Sequence, residues 1–215
     1  MQGSELIPHL RGVLHQWAFW FALAAATTLV LLAPAGVARV AALVYGAGLC
    51  LMLAASAAYH RLKCSPRVRS LLCRIDHSAI CLFMAASYTP VGLLVLEGTQ
   101  RWLVLGSVWG GCAAGVALSL AWVTAPRLLF AVSYVALGWV AVIAFPQMLS
   151  RLDPTPVVLL GAGGVLYSTG AVIYALRRPD PWPSTFGFHE IFHALVIAAA
   201  LIHFVAMAGW VIPAG

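Results

Sequence analysis

Charged side chains are scarce in this sequence. Only 8% of its residues are charged, six of them acidic, whereas 63% are hydrophobic. A soluble domain normally carries about 25% charged residues, and the mean hydropathy of +0.97 departs from a soluble composition in the same direction. This balance excludes an ordinary soluble domain and is typical of a protein that crosses the membrane several times.

Paired cysteines are also missing. The five cysteines are Cys50, Cys64, Cys73, Cys81 and Cys112. Their number is odd, and Cys64 and Cys73 lack the paired spacing of a zinc knuckle. We therefore interpret all five as packing or surface thiols, because disulfides are rare in reducing surroundings.

Long apolar runs, by contrast, are abundant, and short breaks that are mostly rich in Pro or Gly separate them. The seven runs are 17–32, 37–59, 79–96, 102–123, 128–149, 156–176 and 188–211. About 20 apolar residues suffice for a helix to cross the hydrocarbon of a bilayer. The sequence predicts an all-α fold, a seven-transmembrane-helix bundle that forms one domain over residues 1–215. The first run is expected to be an uncleaved span, since no small-residue cleavage site follows it.

The basic residues indicate the orientation of these spans. Nine fall on the side of the N-terminus, namely Arg11, Arg61, Lys63, Arg67, Arg69, Arg74, Arg127, Arg177 and Arg178. Only Arg39, Arg101 and Arg151 fall on the other side. The positive-inside rule predicts a cytoplasmic N-terminus and an extracytoplasmic C-terminus. The net charge of +6 is then explained by contact with anionic membrane lipids, and no nucleic-acid-binding motif accompanies it.

Histidines and an aspartate at the cytoplasmic ends of three spans predict a metal site. His189 and His193 are four residues apart, so they project from one face of a helix. His60 ends the second run and Asp76 precedes the third, which places both at a similar depth. Three imidazoles with a water molecule held by a carboxylate make an open zinc site, so we predict bound Zn²⁺.

The other histidines are expected to have structural roles. His9, His15 and His77 are interpreted as interfacial anchors or hydrogen-bonded packing residues. His203 lies ten residues beyond His193, about 15 Å deeper along a helix, and is predicted to make a buried polar contact.

Two other kinds of site are compatible with the same histidines. His189-Glu190-x-x-His193 matches the zincin protease motif, in which the glutamate is the general base. No Asp or Glu follows His193, however, so a third ligand has to come from upstream. A haem site needs two imidazoles facing each other, usually from separate helices, and fits a pair on one helix less well than zinc does.

Six short motifs are spread along the chain. They are Arg11-Gly12-x-Leu14-His15, Ser56-Ala57-Ala58-Tyr59-His60, Asp76-His77-Ser78-Ala79-Ile80, Tyr88-Thr89-Pro90, His189-Glu190-Ile191-Phe192-His193 and His203-Phe204. Together they resemble the bacterial haemolysin III proteins, the prokaryotic branch of the progestin and adipoQ receptor family, which also contains the adiponectin receptors. The resemblance covers essentially the whole chain. It implies seven helices, a cytoplasmic N-terminus and a multi-pass location in the bacterial inner membrane.

The resemblance also implies roles for individual residues. The family's zinc ligands match His60, His189 and His193, and its water-holding carboxylate matches Asp76. Ser56, one turn before His60, matches a serine that lies beside the metal. The position of Glu190 is a glutamine in the adiponectin receptors, so the general base is assigned to Asp76.

These expectations favour a zinc-dependent hydrolase whose zinc-bound water cleaves an amide or ester bond of a membrane lipid arriving laterally from the bilayer. Related zinc proteins of the wider superfamily include alkaline ceramidases with a similar layout. Three alternatives stay open: a structural zinc in a protein that regulates membrane lipid composition, a cytolysin as the family name implies, and an intramembrane zinc protease.

Overall fold

The computed structural model describes residues 10–122 and 124–215 of the chain. The helices are α1 (Val13–Leu32), α2 (Val37–Arg61), α3 (Pro66–Pro90), α4 (Gly98–Ala121), α5 (Arg127–Gly138), α6 (Ala141–Arg151), α7 (Pro154–Leu176) and α8 (Phe188–Ala206). Short π-helical turns, Val91–Val95 and Met207–Val211, extend α3 and α8. Seven segments, with α5 and α6 counted as one, are long and apolar enough to cross a membrane, so the predicted all-α, seven-span fold is confirmed.

The helix of the third span begins much earlier than predicted. It starts at Pro66, with Ser65 as its N-cap, so the basic segment expected to be a loop is largely helical. Proline is favoured at the first helical position because its φ angle is already helical and its missing N–H is not needed there. Asp76 therefore lies ten residues into α3, about 15 Å from its start. Hydropathy alone missed these first turns because they are rich in arginine.

The fifth span is not one continuous helix. A break at Trp139 and Val140 separates α5 from α6, where one helix over 128–149 was predicted. The Tyr88 hydroxyl enters this break from α3: it donates to the Gly138 carbonyl and accepts a hydrogen bond from the Ala141 N–H. Backbone groups inside a membrane must be satisfied by the protein, so Tyr88 makes the interruption tolerable.

The remaining span ends shift by smaller amounts. α1 begins at Val13, which places His15 inside the helix rather than before it. α4 begins at Gly98 and ends at Ala121, and the predicted end of this span, Val123, lies outside the described residues. The last span covers the predicted 188–211 when its π-helical turn is included.

Consecutive helices pack side by side from α1 to α4, while α8 packs against α7 and also contacts α1. The first residues of α1, α3, α5 and α8 therefore share one end of the bundle with the last residues of α2, α4 and α7. We call this the histidine end, because His60 closes α2 there and His189 opens α8. The nine basic residues counted on the side of the N-terminus all belong to this end.

Candidate metal centre

Three histidines converge at the histidine end of the bundle. One nitrogen of each of His60, His189 and His193 lies within 4.8 Å of the others. The Nε2 atoms of His60 and His189 are 3.2 Å apart. His60 is in the last turn of α2, whereas the other two are one turn apart on the first turns of α8. The fold thus brings together residues separated by 129 positions in sequence.

The separation of the His60 and His189 nitrogens fits a tetrahedral zinc ion. Nitrogens bound at about 2.0–2.1 Å in tetrahedral geometry lie about 3.3 Å apart, close to the separation of the two Nε2 atoms. His193 is buried, and His60 and His189 are half-buried. Neutral imidazoles are good zinc ligands, and three of them leave one position open. The donor set therefore matches the predicted group.

Ser56 and Asp76 lie beside the histidines without joining their cluster. Both are buried, and the Ser56 hydroxyl interacts with the Asp76 carboxylate. Ser56 is one turn before His60 on α2, and Asp76 faces it from α3. Both line the same cavity as the three histidines. A carboxylate in this position can hold a water molecule near the cluster.

His15 was expected to be an interfacial anchor or a hydrogen-bonded packing residue; it is a buried packing residue, and neither of its ring nitrogens has a hydrogen-bond partner among the described residues. It is only 2% exposed, and its ring stacks on His193 with the centroids 3.9 Å apart and the planes 11° from parallel. Its position inside α1 and the contact between α1 and α8 bring it there. The stack restricts the rotation of the His193 ring. The only sequence signal was the motif Arg11-Gly12-x-Leu14-His15, whose depth was misjudged.

His77 and His203 are not members of the cluster. His77 is half-buried and packs against the Phe130 ring at 4.7 Å. His203 makes a buried polar contact, with its Nε2 atom 3.0 Å from the Leu160 carbonyl oxygen. His9 lies outside the described residues.

Gly12 permits the close approach of α1 to the cluster. A Cβ atom at this position would lie 2.6 Å from the His60 Cβ, and the φ angle of +76° is one that other residues rarely adopt. Glycine is required on both counts. Sequence reasoning had not assigned this residue a role at the site.

Glu190 is fully buried, and both of its oxygens are engaged away from the cavity. Oε1 accepts a hydrogen bond from Arg11 Nε at 2.5 Å, and Oε2 accepts one from the Gly187 N–H at 2.9 Å. The first contact fastens the start of α1 to the start of α8, and the second caps α8. This arrangement gives Glu190 a structural task and leaves the general base of a zincin protease without a candidate on this helix.

Replacing Glu190 with alanine is expected to lower the free energy of unfolding by about 3 kcal/mol, because it leaves Arg11 without its buried partner. Glu190→Gln should cost less, about 1–2 kcal/mol, since its single amide oxygen keeps one of the two hydrogen bonds while its amide nitrogen faces the other donor. Thermal unfolding in detergent measures both. Equal destabilisation by the two variants would contradict the proposed role of the carboxylate oxygens.

A cavity of about 1070 Å³ extends from the histidine cluster into the bundle. Near the histidines its wall includes four basic side chains, Arg11, Arg69, Arg127 and Arg177. The Arg127 guanidinium lies over the Tyr174 ring at 5.7 Å, and its buried Nη1 has no hydrogen-bond partner among the described residues. Farther in, the wall is largely apolar and reaches His203 and Met207. The cavity therefore joins a cationic mouth to a long apolar interior.

Comparisons with known proteins agree with this architecture. The sequence profile of the family described as Haemolysin-III related matches residues 6–204. Hemolysin-3 of Bacillus cereus is 30% identical over 82% of this chain and 77% of its own length. The Hemolysin-3 homolog of Bacillus subtilis (strain 168) is 29% identical over 75% of this chain and 72% of its own length.

Eukaryotic proteins are similar as well. The heptahelical transmembrane protein ADIPOR1 of Oryza sativa subsp. japonica is 35% identical over 76% of this chain, which spans 48% of that longer protein. The match of the family profile to nearly the whole sequence, together with the seven-span fold, shows that this chain belongs to the haemolysin-III related family of multi-pass membrane proteins.

Proposed function

We propose that this protein is a zinc-dependent hydrolase that cleaves an amide or ester bond of a membrane lipid. The observation that carries the proposal is the convergence of three imidazole nitrogens within 4.8 Å at the end of a long, largely apolar cavity. A buried carboxylate and hydroxyl flank the same place. A metal, a proton acceptor and a lipid-sized chamber are the three components that such a reaction needs.

His60, His189 and His193 hold the zinc ion in this proposal. When bound, zinc supplies a Lewis acid that polarises a carbonyl and lowers the pKa of a coordinated water to near 7. Asp76 holds the attacking water and accepts its proton, and Ser56 orients the Asp76 carboxylate. The water oxygen becomes part of the carboxylic acid product, the amide or ester bond breaks, and Asp76 passes the proton to the departing amine or alcohol.

The cavity is suited to a lipid because its interior is long and mostly apolar. Its volume of about 1070 Å³ lies just above the usual range for ligand pockets, about 300–1,000 Å³. The arginines at the mouth face the polar head of the lipid, and the hydrocarbon chain extends toward His203. A substrate of this kind enters laterally from the bilayer.

We further propose that the histidine end faces the cytoplasm of a bacterial cell and that the protein resides in the inner membrane. The support is the distribution of basic residues, nine at the histidine end against three at the other. Both the metal centre and the chain's N-terminus then lie on the cytoplasmic side.

The first test is a screen of lipid hydrolysis by the purified protein in lipid nanodiscs. We expect about one zinc per chain by elemental analysis and release of a free fatty acid from at least one amide- or ester-linked lipid class. Chelation followed by dialysis should abolish release, and added zinc should restore it, because the reaction requires the metal. Bound zinc with no product from any lipid class would overturn the hydrolase proposal.

That negative outcome would favour a second function, in which zinc is structural. The observation in its support is that the histidine cluster joins the end of α2 to the start of α8. Zinc removal would then lower the melting temperature of a protein that has no hydrolytic activity to lose.

The names of the Bacillus relatives raise cytolysis as another candidate function. Leakage of dye from loaded liposomes tests it in the same preparation.

A further inference from the structure

A second group of polar side chains lies deep in the cavity, far from the metal centre. His203 and Tyr167 line the cavity wall, and their rings meet edge to face with centroids 5.4 Å apart. His203 follows His193 by ten residues on the same helix, so it lies about 15 Å farther along the axis. His203 takes no part in the proposed hydrolysis, because it is too far from the bond that is cleaved.

The hydroxyl of Tyr167 is buried and has no hydrogen-bond partner within residues 10–122 and 124–215. The hydroxyl of Tyr45, which is fully buried and does not line the cavity, also lacks a partner among these residues. An unsatisfied buried hydroxyl destabilises the folded state, and no bulk water relieves this cost inside a membrane. The unpartnered Tyr167 hydroxyl at the cavity wall therefore indicates that a polar partner belongs there.

The position of the His203 ring is built into the helix packing. A Cβ atom on Gly163 would come within 2.2 Å of the ring, so glycine is needed for the ring to reach α7. The ring Nε2 lies 3.0 Å from the Leu160 carbonyl oxygen. Because a carbonyl oxygen only accepts, Nε2 carries the proton, and a neutral His203 is left with Nδ1 as an acceptor. The pair therefore offers one fixed acceptor and one unused hydroxyl.

We propose that Tyr167 and His203 form a second binding site, which takes an uncharged hydroxyl group carried on the hydrocarbon chain of a lipid. A hydroxyl can accept a hydrogen bond from Tyr167 and donate one to His203 Nδ1, which satisfies both side chains at once. An ionised group is disfavoured at this depth by its desolvation cost. The site therefore recognises the chain of the ligand rather than its head.

The distance between the two sites predicts where on the chain this hydroxyl lies. An extended chain of single bonds advances about 1.2 Å per bond, so 15 Å corresponds to roughly twelve carbons. A lipid whose head is at the histidine cluster would place a hydroxyl near carbon 12 beside Tyr167. The inference rests on the proposed function only in taking the chain to run from the histidines toward His203.

The test is competition between hydroxylated C18 fatty acids and a fluorescent fatty acid for the protein in nanodiscs. We expect 12-hydroxystearic acid to bind about 5–10-fold more tightly than stearic acid, the gain from one or two buried hydrogen bonds. The 2-hydroxy and 17-hydroxy isomers should show no such gain. Tyr167→Phe should remove the preference and leave the affinity for stearic acid unchanged, which also shows that the variant is folded.

The matched control is Tyr134→Phe, because the Tyr134 hydroxyl also borders the cavity but already donates to the His77 carbonyl oxygen. It should keep the preference for the 12-hydroxy acid. Equal affinities of all isomers, or a preference that survives Tyr167→Phe, would overturn the inference and indicate that the site holds only ordered water. Failure of every acid to bind would overturn both this binding site and the proposal that the cavity holds a lipid. A preference for the 12-hydroxy acid in a protein that hydrolyses no lipid would support this binding site and overturn the hydrolase proposal.

Discussion

Purified His193→Ala protein is expected to contain almost no zinc. The substitution removes the buried ligand of the three, leaving His60 and His189 as a pair. Losing one of three protein ligands should weaken zinc affinity on the order of a hundredfold or more. The loss should also release the stacked His15 ring and the link between α2 and α8, so the melting temperature should fall to that of the chelated wild type. Elemental analysis and thermal unfolding measure the two effects.

The matched control is His203→Ala, which removes a histidine from the same helix about 15 Å away. Because its ring bonds the Leu160 carbonyl rather than a metal, this variant should keep about one zinc per chain. Equal zinc loss in both variants would indicate general unfolding rather than loss of a ligand. Full zinc content in His193→Ala would show that the three histidines are not the metal centre.

Asp76→Asn is expected to abolish hydrolysis while leaving zinc in place. The amide has the shape of the carboxylate but cannot accept the proton of the attacking water, and loss of a general base typically costs 10²–10⁴-fold in rate. Ser56→Ala should have a smaller effect, about tenfold, since it removes one hydrogen bond to the carboxylate. The measurement is the hydrolysis rate per bound zinc of each variant and of the wild type, on the lipid that the wild type cleaves.

Glu190→Gln distinguishes this mechanism from that of a zincin protease. Glu190 pairs with Arg11 and caps α8, so the glutamine variant should hydrolyse lipid at close to the wild-type rate per folded molecule. The opposite pattern, activity lost in Glu190→Gln and kept in Asp76→Asn, would assign the base to Glu190. Loss of zinc from Asp76→Asn would instead make Asp76 a metal ligand.

The features of this fold that could be predicted from the sequence are those that depend on one continuous stretch of the chain. Seven spans follow from apolar runs that are each long enough to cross a bilayer, and this signal does not depend on neighbouring helices. The pairing of His189 with His193 follows from the helical repeat alone. The early start of α3 did not follow, because Arg67, Arg69 and Arg74 make its first turns look like a loop.

The break between α5 and α6 could not be predicted from the sequence either. It depends on Tyr88, fifty residues upstream, which supplies hydrogen bonds to the backbone groups freed by the break. The burial of His15 is a similar case. Its surroundings in sequence resemble a surface segment, and only the packing of α1 against α8 places its ring on His193.

The sequence by itself determined the membrane class, the number of spans, the candidate ligands His60, His189 and His193, and Asp76 as their neighbour, because apolar length, helical periodicity and motif chemistry are local properties. Tertiary structure alone decided that Glu190 is a buried link between two helices, that the His15 ring stacks on His193, and that the rings of Tyr167 and His203 meet at the cavity wall. These depend on contacts between helices distant in sequence, and such contacts are specified by packing and by the satisfaction of buried polar groups, which no single stretch of chain encodes.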